Sequence, residues 1–131
     1  MIRQMTHRMT HCFALCLAVL LPSVGLAQSN VKTKDGSIVQ LRALDTITGL
    51  VEDIELNVGD TTVYERLMIS VKECRYPRGN ISADAFAYLV IRDVREALPA
   101  FQGWMIASSP ALSALEHPRY DVWVLRCKVE G

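Results

Sequence analysis

From Ile38 onward the chain changes between apolar and polar residues with a period close to two. Val39, Leu41 and Ala43 share one parity, with Gln40, Arg42 and Leu44 on the other, which predicts a half-buried strand over Ile38–Asp45. Thr48-Gly49 marks a turn, and a second run over Leu50–Leu56 makes the pair a hairpin. Asn57–Asp60 is the next turn signal, followed by a short β-prone piece at Thr61–Tyr64 and a tight polar turn at Glu65-Arg66. Leu67–Tyr76 alternates well at first, with Leu67, Ile69 and Val71 on one parity. Cys74 then falls on the parity of Lys72, where a strict strand would aim it away from the core. Either a β-bulge near Lys72-Glu73 turns it back, which is the favoured reading, or the cysteine lies on the outer face.

Pro77–Asn80 is the clearest loop in the chain. Asp84–Asp93 reads as a strand because its β-branched and aromatic residues hold no helical stripe. Arg92–Pro99 is a charged connection, and Phe101–Ser108 an apolar strand broken by Gly103. Ser108-Ser109-Pro110 is a helix-start signal, since a serine oxygen can accept from a first-turn N–H and proline there loses no needed donor. Ala111, Leu112 and Leu115 follow at helical spacing, and His117-Pro118 ends the segment. Tyr120–Cys127, with four apolar residues in a row, predicts a central strand covered on both faces. Seven or so short strands between turn signals point to an all-β fold. The expected form is a small antiparallel β-sandwich or partly open barrel, with one short helix in the last connection.

The first 27 residues obey a different pattern. Arg3, His7 and Arg8 give a basic start without acids, Cys12–Leu21 is apolar, and Gly25-Leu26-Ala27 offers small residues at a cleavage site. The expected organisation is a secretory signal peptide over 1–27 cut after Ala27, a flexible polar tail over 28–37, and one β-domain over 38–131. The apolar run is shorter than the roughly 20 residues of a membrane span, so no stable span is expected after processing. Periplasmic export is the expected localisation. Loss of Arg3 and Arg8 would take the 14 basic residues to 12 against 14 acidic ones. That balance argues against a nucleic-acid partner, which normally meets a basic excess.

Export also changes the meaning of the cysteines. Cys12 and Cys16 leave with the leader, and the remaining pair, Cys74 and Cys127, reads as one disulfide. Closing a loop of about 50 residues is worth ~4 kcal/mol on the chain-entropy account.

Candidate chemistry is thin. Ser108, Ser109, His117 and Asp121 supply the residue types of a hydrolytic triad, but no Gly-x-Ser-x-Gly elbow is present. Two helical turns would also hold Ser109 and His117 roughly 10 Å apart, beyond hydrogen-bond reach. His117, the only histidine beyond the leader, has no companions at zinc-ligand spacing and is expected to cap the helix C-terminus. Glu116 and Asp121 read as solvated carboxylates. Phe101, Trp104, Tyr120 and Trp123 could stack on a sugar, but are expected mostly in the core. Arg75, Arg78, Arg92 and Arg95 could form a basic strip, with solvated rims the ordinary reading. No catalytic residue, metal or cofactor is assigned. The expected function is a non-enzymatic interaction module for an envelope partner, a protein or a glycan. Its candidate surface is the Ser108–Tyr120 connection (Ser108, Ser109, Glu116, His117, Tyr120) with Arg78 of the Pro77–Asn80 loop. A small hydrolase using Ser109 near His117 is the alternative.

Two runs carry a resemblance. GWMIASSPALSALEHPRYDVWVLRC closely resembles the hallmark of an uncharacterised family of exported bacterial proteins, the domain of unknown function 2155 family. RALDTITG resembles that family's first strand pair, and the likeness covers roughly Val39–Lys128. The resemblance implies a small exported domain and carries no assigned activity, so no catalytic residue follows from it.

Overall fold

The computed structural model describes residues 30–131, so the expected leader and its cleavage point lie outside the described residues. Eight strands follow in order: β1 (Thr33–Asp35), β2 (Ile38–Asp45), β3 (Val51–Asn57), β4 (Thr61–Tyr64), β5 (Leu67–Pro77), β6 (Phe86–Asp93), β7 (Phe101–Ile106) and β8 (Tyr120–Lys128). They form two antiparallel sheets. The larger runs β1-β5-β6-β7, and β4 shares with β1 the edge of β5 that faces away from β6. The smaller runs β3-β2-β8. The two sheets do not close into a barrel, so the fold is the all-β sandwich that the alternation predicts. Inward-facing Val39, Leu41, Ile69, Val71, Leu89 and Val124 are all at least 98% buried and form its core. Among the described residues no helix is long and apolar enough to cross a membrane.

Two bulges aim the cysteines. In β5 the register slips between Val71 and Glu73, so Lys72 faces no partner and Cys74 returns to the inward side. In β8 the slip lies opposite Gln40/Leu41, which leaves Leu125 as the extra residue and turns Cys127 inward after Val122 and Val124. The two strands belong to different sheets, and the disulfide Cys74–Cys127 joins them with a Cα–Cα separation of 5.8 Å. The bulge in β5 is the one the parity of Cys74 predicts. The bulge in β8 was hidden by an unbroken apolar run.

Four expectations need correction. The polar stretch taken as a tail contains β1, whose Thr33, Lys34 and Asp35 pair with Pro77, Tyr76 and Arg75. Backbone pairing, not side-chain burial, orders it. The connection after β7 holds only a 3-10 turn, Pro110–Leu112, rather than a two-turn helix, and Leu112 is exposed while Leu115 is buried. Ser108 and Tyr120 stand at opposite ends of the sandwich, because β7 and β8 run the same way along its open side. A helix of residues 109–117 would cover only about 13 Å, short of the ~20 Å or more spanned by a strand of that length. The chain must therefore stretch, and Leu115 plugs the gap between the sheets. Lastly, β8 is an edge strand, not a central one. Trp123 lies half-buried on its outer face beside Arg42, with no second layer above it among the described residues.

Where β1 crosses to β2, Gly36 packs on the bridge itself. Its N–H donates to the Cys74 carbonyl at 2.7 Å, and a Cβ there would stand 2.9 Å from the Cys127 Cβ. Gly36→Ala is expected to lower stability by about 1–3 kcal/mol, the usual range for overpacking. Equilibrium denaturation of the oxidised variant checks this, and an unchanged midpoint would mean that the crossing can move off the bridge.

Candidate functional site

At the end opposite the disulfide, the inward parity of two strands finishes on a carboxylate. Val39, Leu41 and Ala43 lead to Asp45, and Leu89 and Ile91 lead to Asp93; both aspartates are 5% exposed. Each uses its carboxylate to tie down the loop that follows. Asp45 accepts from the N–H of Ile47 at 3.0 Å and of Thr48 at 3.3 Å, and Asp93 accepts from the N–H of Arg95 at 2.9 Å. This is the aspartate turn motif, used twice. Each carboxylate also holds an arginine: Arg119 donates to Asp45 at 2.7 Å, and Arg66 to Asp93 at 3.2 Å.

Tyr120, at the start of β8, sits among these groups. His117 stacks on it with ring centroids 5.1 Å apart, and Tyr64 meets it edge-on at 5.7 Å. The guanidinium groups of Arg66 and Arg119 lie 5.4 and 5.3 Å from its ring centroid. The negative face of the ring attracts both cations, which for Arg66 matters because its buried Nε finds no hydrogen-bond acceptor among the described residues. Arg66 is launched from the β4–β5 turn, where Glu65 adopts a φ of 51°, a left-handed conformation that costs a non-glycine residue about 1–2 kcal/mol. Beside the cluster, Asp45, Tyr64, Glu65 and Arg119 line a cleft of about 380 Å³.

His117 is the correction that matters most. It does not cap a helix. Its side chain is 5% exposed, and Nδ1 accepts from the N–H groups of Arg119 at 3.1 Å and Tyr120 at 3.0 Å. Two donors aimed at Nδ1 fix the tautomer, so the hydrogen sits on Nε2 and is donated to Asp93 at 3.0 Å. Both ring nitrogens are thereby committed. Ser108 is committed elsewhere: its N–H and Oγ both donate to Asp84, at 2.9 and 2.7 Å. The Ser109 side chain makes no capping bond, contrary to its expected role.

The sequence-predicted surface is therefore divided. Arg78, Ser108 and Ser109 lie toward the disulfide end, whereas His117 and Tyr120 lie at the other end and are covered; Glu116 is exposed beside them. The four arginines do not form one strip either. Arg75 and Arg78 belong to the disulfide end and Arg92 and Arg95 to the opposite one. The aromatic group splits as well: Tyr120 is 3% exposed, but Trp104 and Trp123 face outward. Trp104 belongs to a patch that sequence reading missed. On the outer face of the larger sheet it meets Tyr88 edge-on at 5.5 Å, carries the Arg75 guanidinium at 5.8 Å, and adjoins Phe86 and Ile106. Arg75 is itself balanced by Glu73 at 2.7 Å and Asp35 at 3.6 Å, so the patch is aromatic and nearly neutral. Among the described residues no group of three or more metal-ligating side chains converges.

With this geometry in hand, residues 39–127 match a bacterial family described as an uncharacterized protein conserved in bacteria (DUF2155). The chain belongs to this family. It is also similar to the uncharacterized protein RP359 of Rickettsia prowazekii (strain Madrid E), with 30% identity over 88 residues. That match covers 65% of this chain and 57% of the relative, so the chain spans little more than half of the relative's length. No solved structure matches. The family's matched stretch runs from Val39, at the first buried position of β2, to Cys127, so it contains both bulges, the bridge and the Tyr120 cluster.

The cluster makes a prediction about acid. The hydrogen bonds from Arg119, with those of Ile47 and Thr48, hold Asp45 at about 2 against the usual 3.8. The Arg95 N–H, then His117 and Arg66, hold Asp93 at about 2. Both folded values lie below the unfolded ones, so the ionised pair stabilises the fold fully above pH 3.8 and that contribution is lost as the pH falls toward about 2. Thermal midpoints should therefore hold steady near neutrality and drop across that acid window. Asp93→Asn should lower the neutral midpoint and flatten the drop. A drop of equal size in the variant would show that Asp93 does not contribute.

Proposed function

We propose that the chain is an exported, non-enzymatic interaction module of the bacterial envelope, acting on a protein or glycan partner from the periplasm. The observation that carries this reading is the commitment of His117. The only histidine beyond the leader has both ring nitrogens occupied by Asp93 and by backbone N–H groups. A hydrolase built on Ser109 would need one of them open. The buried acid and base groups spend their hydrogen bonds on one another and on loops, which supports a structural role for them. Export is supported by the leader pattern and by the inter-sheet disulfide, a bond that persists in oxidising compartments.

The aromatic patch on the larger sheet is the surface best suited to a partner. Trp104 is 37% exposed, beside Tyr88 and the exposed Gln102, and such a mix of apolar rings and polar tips is typical of contact surfaces. The test uses the full-length gene in its own host. A photo-crosslinking residue at Gln102 should capture a periplasmic partner, or the mature domain should be retained on isolated envelope glycan. Trp104→Ala should weaken either signal at least about tenfold, as expected of an aromatic anchor worth over 1.4 kcal/mol. A cytosolic precursor, or an ester or amide hydrolysis abolished by His117→Gln, would contradict the reading.

A further inference from the structure

Strand β8 pairs with β2 along one edge, and among the described residues it has no strand on the other. A cleft of about 530 Å³ lies beside it, lined by Leu125, Arg126, Cys127, Lys128 and Val129. Successive residues of a strand face opposite sides of a sheet. Five in a row can line one cavity only if that cavity runs along the backbone edge. No residue of β2 lines it, so it follows the unpaired edge, and Ile81 and Ser82 form the facing wall. The cleft lies beside backbone N–H and C=O groups that have no ladder partner among the described residues.

Its chemistry is lopsided. Arg126 and Lys128 alternate along one side, and the apolar contributions come from Ile81, Leu125 and Val129, with no carboxylate in the lining. Lys128 reaches Glu55 across the sheet, but Arg126 is exposed and makes no ion pair among the described residues. Glu130 follows the slot as the nearest acid in sequence. The opposite edge of the same sheet, β3, carries acids instead: Glu52, Asp53 and Glu55 are exposed, the last two bridged to Arg42 and Lys128.

We propose that the free edge of β8 is a strand-addition site for an extended peptide in which acidic and apolar side chains alternate. The peptide backbone would continue the β3-β2-β8 ladder. Its carboxylates would lie beside Arg126 and Lys128, and its apolar side chains would cover Val129 and Ile81 next to the disulfide. Backbone bonding gives such sites their affinity and alternate side chains their selectivity. The inference goes beyond the envelope-module reading, and uses a different surface from the Trp104 patch.

The probe is an end-blocked eight-residue peptide of alternating glutamate and valine, titrated into the oxidised mature chain and followed by amide NMR. Shifts should concentrate at Ile81, Ser82 and Leu125–Val129, and should weaken with salt. Arg126→Glu should raise Kd at least about tenfold and Arg126→Lys much less, with unchanged melting in both, since the side chain is exposed. A lysine–valine peptide, and a glutamate–valine peptide N-methylated on alternate nitrogens, should bind at least about tenfold more weakly. No shift, equal binding of the lysine or N-methylated peptide, shifts centred on Trp104, or the same amides moving with protein concentration alone would overturn the proposal. The last result would mean that β8 pairs with a second copy. Crosslinking through Gln102 with a silent slot would remove this site and leave the envelope module standing, whereas peptide binding by a chain retained in the cytosol would do the reverse.

Discussion

One covalent bond between two sheets sets the conditions for the rest of this molecule. Cys74 and Cys127 lie in strands that would, with regular pleating, aim at least one of them outward, and each strand spends an extra residue to turn its cysteine inward. A bulge also bends and twists its strand. The cost of two bulges is accepted at the point where the sheets must meet, and the chain crossing at Gly36 has lost its side chain to fit over the result. For a domain of about 100 residues, whose total stability is on the order of 5–15 kcal/mol, a cross-link worth ~4 kcal/mol is a large share.

The far end of the sandwich has no such bond and is held electrostatically. Asp45 and Asp93 end the inward rows of β2 and β6, fix the loops beyond them, and gather Arg66, Arg119 and His117 around Tyr120. Buried charge of this kind is weak evidence of net stabilisation, because desolvation opposes the attraction. Its clearer effect is on geometry. The hydrogen bonds specify where three loops leave the sheets, and they set the point at which β8 begins. Strand β8 therefore starts in a polar cluster and ends in a disulfide. Between those anchors its outer edge has no strand partner among the described residues, while Leu115 of the preceding connection packs into the core behind it.

Much of this was legible in the alternation. The first hairpin and the parity of β5 follow from spacing, the cysteine pair follows from the leader pattern and the count of two beyond it, and the bulge at Lys72 is the favoured reading because Cys74 falls on the wrong parity. Asp45 and Asp93 are readable too, since each continues an inward parity that is otherwise apolar, and a carboxylate at such a position signals a buried cap. Other features were not available from local pattern. Strand β1 is ordered by backbone pairing with β5 and carries no apolar signature. The apolar run in β8 concealed both its bulge and its edge position, because Trp123 and Leu125 are half-covered on the outer face and look like core in a list of residues. Helix-forming signals after Ser108 were overridden by distance: the chain had to travel the length of a strand with too few residues to coil. The split of the expected surface follows from the same stretch, which carries Ser109 and His117 to opposite ends.

His117, Asp45 and Asp93 are tied into the scaffold, and two features stay at the surface: an aromatic face on one sheet and, among the described residues, an open edge on the other. Both depend on the two sheets being locked together as described. The most direct measurement is intact mass of the chain, purified without reductant, after thiol alkylation, with and without prior reduction. The account requires no alkylation of the unreduced chain, even when unfolded, and two labels after reduction, at Cys74 and Cys127. Two labels on the unreduced chain would contradict it.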